Sequence, residues 1–399
     1  MNKVKFTVDI KYSIKQSLIL FLLFLSSMNL FAKSFYFVFA AFIVLLLLGK
    51  KIRVNFDVLL LLMFSLTYAV FAGLYNNVLS FLRVFAMPLC YLLGINYFEN
   101  RDWNSTDNNL VDRKTVTAIC IPAMGAFAHY CINYLTNSQS AYRNTIDIWT
   151  GESLSATGQA CLAIIAVGVF LYISFEKHNM IYKILSVIGL IIILLYNLVL
   201  GGRALLLILS TEFVIAFIWS LIHSKNNNKK VKLTLLLLVI FIAFALVYSF
   251  DIYGLRTMIL GSNLSQRFET SSFLSDSRIY FKLEYLKHML EYPFGGGHIF
   301  NAVGQYAHEL YLDVYSDAGI IPFILVLIFI IVSVIRIILY SKTESIPAET
   351  RLLMLLSNVS ILITFWMEPI MVGMPWMFCI FCFYQGILCS SKKIANDAV

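Results

Sequence analysis

Charge is scarce in this chain of 399 residues: Asp, Glu, Lys and Arg make up 13%, against 60% for the apolar set that includes Tyr and Cys. A soluble domain carries roughly 25% charged and 45–50% apolar residues. The excess apolar surface is more than one water-facing core can hide, and the mean hydropathy of +0.82 agrees. A soluble globular protein is excluded. Also missing is the apolar–polar alternation that a transmembrane β-barrel needs, because the apolar residues come in unbroken runs such as Ala40 to Leu48. What remains is an all-α polytopic membrane protein, a single integral domain over residues 1–399. At about 20 residues per span its apolar content allows about twelve transmembrane helices.

Other absences narrow the chemistry. Cys90, Cys120, Cys131, Cys161, Cys379, Cys382 and Cys389 all lie inside or at the ends of apolar runs. No disulfide framework or zinc site is expected, since Cys379 and Cys382 have no further ligands at hand and buried Cys packs as a small apolar side chain. No A-x-A-like site follows Leu30-Phe31-Ala32, so a cleaved signal peptide is not expected. The glycine run Gly295-Gly296-Gly297 lacks the Lys-Ser/Thr ending and strand context of a nucleotide loop.

Apolar runs between polar breaks predict spans at 17–32, 34–49, 56–74, 79–98, 115–135, 154–174, 181–200, 203–222, 233–250, 318–340, 351–368 and 371–389. Basic residues test this independently, since in short loops they stay cytoplasmic. With both termini cytoplasmic, most of the 30 Lys and Arg residues fall inside. Only Lys33, Arg143, Arg203, Arg256, Arg267, Arg278, Lys282 and Lys287 fall outside, and Arg83 lies within a span. The net charge of +8 follows from this topology and from anionic lipid, the membrane partner, and points to no nucleic acid. Five of the outer cations, Arg256, Arg267, Arg278, Lys282 and Lys287, share one long external loop, residues 251–317, and a structured loop of that length is usually functional. A smaller external loop covers residues 136–152.

Within the long loop, Ile279, Leu283, Leu286 and Leu290 recur at helical spacing. They predict an amphipathic helix from Ser277 to Glu291, capped by Ser275 or Asp276, ended by Pro293, and lying on the membrane surface. Arg278 then sits in its first turn, where amides and a guanidinium jointly receive an anion. On a helix, His308, Tyr311 and Tyr315 share one side, and a histidine where a loop enters the membrane suits proton transfer. In Leu200-Gly201-Gly202-Arg203 the connection between two apolar spans is too short to hide a charge. Arg203 therefore snorkels or meets an anion, and the paired glycines let a bulky headgroup approach. Glu212, deeper in the same span, is too far from Arg203 to pair with it.

Gly201-Gly202-Arg203 opening a span, Ser277-Arg278, Pro293-x-Gly295-x-Gly297 and His308-x-x-x-Leu312-x-x-x-x-Asp317-x-Gly319 together resemble the O-antigen polymerase and ligase family of bacterial lipopolysaccharide assembly. The resemblance covers about residues 195–340. Glu309 stands where the family has Asn, Asp317 where it has Glu, Phe281 where Trp is frequent and Pro322 where it has Gly, departures that bear on acceptor preference.

The resemblance implies a metal-independent inverting glycosyltransferase with a GT-C-like fold and no cofactor, in the bacterial cytoplasmic membrane with its active site facing the periplasm. It would move a glycan from an undecaprenyl-diphosphate-linked oligosaccharide to an acceptor hydroxyl. A departing diphosphate needs fixed cations, and Arg203 and Arg278 are the choice for that role, with His308 orienting or deprotonating the acceptor. Arg143, Arg256, Arg267, Lys282, Tyr311 and Tyr315 are the candidate substrate-binding residues, and a chain-length regulator is an implied partner. Arg143 and Tyr142 in the smaller loop favour a polymerase of O-antigen, capsule or exopolysaccharide. The alternatives are a ligase acting on lipid A-core and a lipid-linked oligosaccharide flippase. The flippase is disfavoured because no repeat relates the two halves and the cations gather at the outer boundary rather than the midplane.

Overall fold

The computed structural model describes residues 13–49, 51–74, 77–98, 110–137, 145–175, 179–223, 245–270 and 277–397, with residues 231, 235 and 242. Chain order runs through α1 (Ile14–Ser27), α2 (Ser34–Leu48), α3 (Phe56–Phe71), α4 (Val78–Ile95) and α5 (Leu110–Asn137) to a short hairpin, β1 (Thr145–Ile146) and β2 (Ser153–Leu154). Then come α6 (Ala156–Phe175), α7 (Met180–Leu200) and α8 (Arg203–His223). The loop region holds α9 (Leu255–Leu260), α10 (Asn263–Thr270), α11 (Ser277–His288), α12 (His298–Val303) and α13 (Leu310–Ala318). The chain closes with α14 (Ile320–Lys342), α15 (Ala348–Phe365), α16 (Ile370–Gly373) and α17 (Pro375–Asp397).

Among the described residues, 7 helices are long and apolar enough to cross a membrane: α4 to α8, α14 and α15. Shorter apolar helices are α1, α2, α3 and residues 375–391 of α17. The predicted span 233–250 lies mostly outside the described residues, as do Arg143 and the caps Ser275 and Asp276. Large apolar side chains such as Ile181, Leu185 and Ile188 on α7 and Ile324, Ile331 and Ile335 on α14 are exposed. A helical backbone with such faces is at home in hydrocarbon, where every peptide group is satisfied within its own segment.

Local signals place the helix ends. Ser13 and Gln16 form a reciprocal capping box at the start of α1, and Asn55 and Asn77 cap α3 and α4 through their side-chain oxygens. Small residues then set the packing. A Cβ on Gly386 would come within 2.5 Å of the Tyr91 carbonyl and 2.9 Å of Gly94 Cα, so α4 and α17 cross in backbone contact. α6 runs through the centre, with 83% of its membrane window buried, against 28% for α8 at the rim. Toward the end of the bundle away from the hairpin, Asp57 of α3 bonds Arg336 of α14 and Tyr91 of α4, a buried ionic network joining three helices. At the hairpin end, the loops converge with the starts of α4, α6, α8 and α17 to form the candidate site.

Candidate functional site

Three of the predicted cations meet. Arg203 at the start of α8, Arg267 of α10 and Arg278 in the first turn of α11 line one cavity of about 430 Å³. Its other walls are the hydroxyls of Thr157 and Ser210 and the apolar Ala204, Leu206, Leu207, Phe268 and Met367, with no carboxylate among the lining residues. A cavity that is cationic on one side and apolar on the other matches an amphiphilic anion, and its size lies in the usual range for a ligand site.

The Gly201-Gly202 turn builds the first corner. Gly201 caps α7 in the left-handed region (φ 68), its amide bonding the Asn197 carbonyl, while Asn197 Nδ2 donates to Gly202 O at 3.1 Å. The next residue, Arg203, opens α8 directly after this turn. α10 docks on the same turn: Asn263 Nδ2 donates to Val199 O at 2.6 Å and Arg267 Nη1 to Gly201 O at 2.7 Å.

The second corner is the segment between α15 and α16. Arg278 Nη1 donates to Met367 O at 3.0 Å and lies 3.3 Å from Glu368 Oε1. Glu368 is only 2% exposed. Burial raises its carboxyl above the ordinary Glu range, while Arg278, the Thr157 hydroxyl and Arg267 act in the opposite sense. Sequence reading missed Glu368. The signal was there: a lone carboxylate closing the apolar run of α15, immediately before Pro369.

His308 does not line the arginine cavity. Nor does it share a helix face with Tyr311 and Tyr315, because α13 begins only at Leu310 and His308 adopts a left-handed backbone (φ 57). The reason is Asp313. Its carboxylate accepts the amides of Ala307 at 3.0 Å and Glu309 at 3.2 Å, clamping the chain on both sides of His308 before the helix starts. A non-glycine residue held at positive φ is a strained conformation of the kind that gathers at functional sites. The His308 segment is nonetheless tied to the arginine cavity, since Lys282 of α11 bridges Glu309 Oε2 at 2.9 Å and the Trp366 carbonyl at 2.7 Å. Lys282 therefore acts as a strut between the two.

The remaining candidates separate. Arg256 is exposed on α9 and lines none of the cavities described here. The Tyr311 ring packs on Trp366 at 5.4 Å. Tyr315 is 2% exposed and held between Phe323 and the Met289 carbonyl, so its ring has no open face for a sugar; its role is packing.

The glycine run approaches protein backbone as well as open space. Gly295, Gly296 and Gly297 all have positive φ, and the amides of Gly296 and Gly297 bond the carbonyls of Asp317 and Ser316 at 2.8 and 2.9 Å. A Cβ on Gly295 would lie 2.3 Å from the Gly319 amide nitrogen. This seam fixes Asp317, whose carboxylate accepts from Tyr68 of α3 at 2.8 Å. Burial pushes the Asp317 carboxyl up to about 6 against the pull of that hydrogen bond. Burial first, with the charges of Asp317 and Glu309, pushes Asp313 up to about 8, against the two amides that hold it.

Among the described residues, no group of three or more His, Cys, Asp or Glu side chains is gathered to hold a metal ion. No protein-family model matches the chain, and no curated protein matches it.

Proposed function

We propose that the protein is an undecaprenyl-diphosphate-dependent polysaccharide polymerase, working on a twelve-span GT-C-like scaffold in a bacterial cytoplasmic membrane with its site facing the periplasm. The observation that carries this reading is the convergence of Arg203, Arg267 and Arg278 on one cavity whose remaining wall is mostly apolar. A lipid-linked diphosphate has both properties, and guanidinium groups bind phosphate through paired N–H donors while staying charged at any working pH.

In this reading the acceptor hydroxyl attacks the anomeric carbon from the face opposite the diphosphate. The new glycosidic bond forms as the carbon–oxygen bond to the carrier breaks, with inversion. The electron pair leaves on the diphosphate, where the three arginines stabilise it. The hydroxyl proton passes to His308, whose chain the Asp313 clamp fixes on both sides and whose neighbour Glu309 is tied through Lys282 to the Trp366 carbonyl.

The test is purified protein with a synthetic undecaprenyl diphosphate oligosaccharide and no added metal. Polymer and free carrier diphosphate are expected, with Arg203→Ala about a hundredfold slower and His308→Ala slower by about a hundredfold or more. Normal ladders from both variants overturn the assignment. Transfer to lipid A-core alone makes the protein a ligase, and movement of intact lipid-linked units across the bilayer without bond formation makes it a transporter.

A further inference from the structure

We propose that the space around Arg83, on the other side of the first turn of α6 from the arginine cavity, is a second site, and that it takes a saccharide. Two cavities, of about 260 and 350 Å³, share Arg83, Val372 and Pro375 in their walls. Consecutive residues of α6 line the arginine cavity and the smaller of these two, Thr157 the first and Gly158 the second. At 3.6 residues per turn, consecutive residues project onto different sides of a helix, so the start of α6 is a wall common to the two spaces.

The lining chemistry differs from that of the arginine cavity in a decisive way. Asp147 and Glu152 face the smaller space and Asp317 the larger, alongside a single arginine. Three carboxylates disfavour a phosphate and suit a ligand rich in hydroxyl donors. Two polar side chains with buried nitrogens, His129 and Arg83, stand in these walls. His129 of α5 is 2% exposed, and its Nε2 lies 2.7 Å from Asp147 Oδ2. Among the described residues neither ring nitrogen of His129 makes a well-aligned hydrogen bond, Nε2 meeting Asp147 by proximity alone, and Arg83 Nε makes none. The guanidinium Nε–H needs an acceptor. A sugar hydroxyl accepts from it and donates to the carboxylates beside it, whereas an ionised phosphate meets those carboxylates with like charge. Trp376 adds a flat ring to the same wall, a surface for the C–H face of a pyranose.

Asp147 is set for this task by the loop that carries it. Its Oδ1 accepts the amides of Trp149 and Thr150 at 2.9 and 3.0 Å, while Oδ2 lies beside His129 Nε2 and accepts from Asn133 Nδ2 at 3.4 Å. Burial alone raises the carboxyl, but the close approach and charge of His129 and those two amides outweigh it and hold Asp147 well below the usual carboxylate range. Resting on the polymerase reading, this saccharide belongs to the acceptor: the carrier diphosphate of the donor occupies the arginine cavity, and the acceptor sugars remote from the attacking hydroxyl sit across the start of α6 from it.

The experiment uses the full chain in lipid nanodiscs and saturation-transfer NMR with two kinds of probe. The methyl glycosides of glucose, galactose, N-acetylglucosamine and rhamnose probe the Arg83 space, and geranylgeranyl diphosphate probes the arginine cavity. At least one glycoside should bind, and its affinity should fall about tenfold in Arg83→Gln and in His129→Gln. Geranylgeranyl diphosphate binding should fall in Arg278→Gln and hold in Arg83→Gln. Glu152→Gln, at an exposed position, is a third variant that does not depend on the His129–Asp147 contact for folding and should also weaken the glycoside. The inference is overturned if no glycoside binds, if binding ignores Arg83 and Glu152, or if pyrophosphate competes with the glycoside at Arg83. Glycoside binding at Arg83 in a protein that makes no polymer from lipid-linked donor would keep the site and remove the polymerase reading.

Discussion

Removing Arg278 has two effects, and the Glu368 contact allows them to be separated. Arg278→Ala takes away a cation of the cavity and leaves Glu368, 2% exposed, without its guanidinium. Breaking a buried pair costs about 3–5 kcal/mol when the partner stays charged. The carboxyl can instead bind a proton, at about 1.4 kcal/mol per pH unit above its unfolded value near 4.3, which caps the penalty at about 4 kcal/mol at pH 7 and about 1 kcal/mol at pH 5. Arg278 is partly exposed, its side chain at 26%, so about 2–3 kcal/mol at pH 7 is the expected loss. The sign follows from linkage: loss of the cation raises the folded-state Glu368 carboxyl further, so the destabilisation grows as pH rises. In Arg278→Ala/Glu368→Gln the buried charge is gone and most of the stability should return, while polymerisation stays lost because the diphosphate still lacks its cation. The assay is thermal unfolding in detergent at pH 5 and pH 7 beside the polymer ladder. Polymer restored in the double variant would show that Arg278 serves only to neutralise Glu368. An unfolding temperature equally low in the single and double variants at pH 7 would refute the buried-charge account.

Gly386→Ala should sharply reduce folded protein, because the added methyl would meet the Tyr91 carbonyl at 2.5 Å and the Ile95 amide at 2.8 Å, both backbone; size-exclusion recovery of the detergent-solubilised protein measures it. Gly319→Ala should cost about 3 kcal/mol or more, since φ 82 and ψ −168 suit glycine and a Cβ would lie 2.5 Å from the Pro293 carbonyl. Its melting temperature should drop well below that of Ala318→Gly in the same helix. Asp313, pushed up to about 8 by burial, holds its proton more tightly when folded, so its contribution to stability is full below pH 4 and is lost as pH rises toward 8. The melting temperature of the wild type should fall across that window, and Asp313→Asn should flatten the fall by up to about 1.4 kcal/mol per pH unit; an unchanged slope would remove Asp313 as its source.

Local signals were readable wherever they needed no partner. The apolar runs of α4 to α8, α14 and α15 announce themselves because a helix in hydrocarbon must be apolar over most of its length, whatever it packs against. Arg203 stood out because a guanidinium at the edge of a span is costly to leave unsatisfied, and Arg278 because it sits in the first turn of an amphipathic helix, where amides and a guanidinium jointly receive an anion. His308 was found, but its conformation was misread. Helical spacing to Tyr311 and Tyr315 assumes a helix, and only the folded loop shows Asp313 capturing the amides on either side and delaying the helix to Leu310.

The apolar composition by itself determined that this chain is a membrane-embedded helical protein, and the cations at its span boundaries marked where chemistry was to be sought. Tertiary structure alone decided which of those cations share a cavity, that Glu368 lies against Arg278, and that Arg83 lines the same wall as the His129–Asp147 pair. The physical reason is the range of the forces. Transfer of apolar side chains into lipid is a property of each segment, whereas these ion pairs and cavity walls form between different segments, 90 positions apart for Arg278 and Glu368, and depend on how the helices cross.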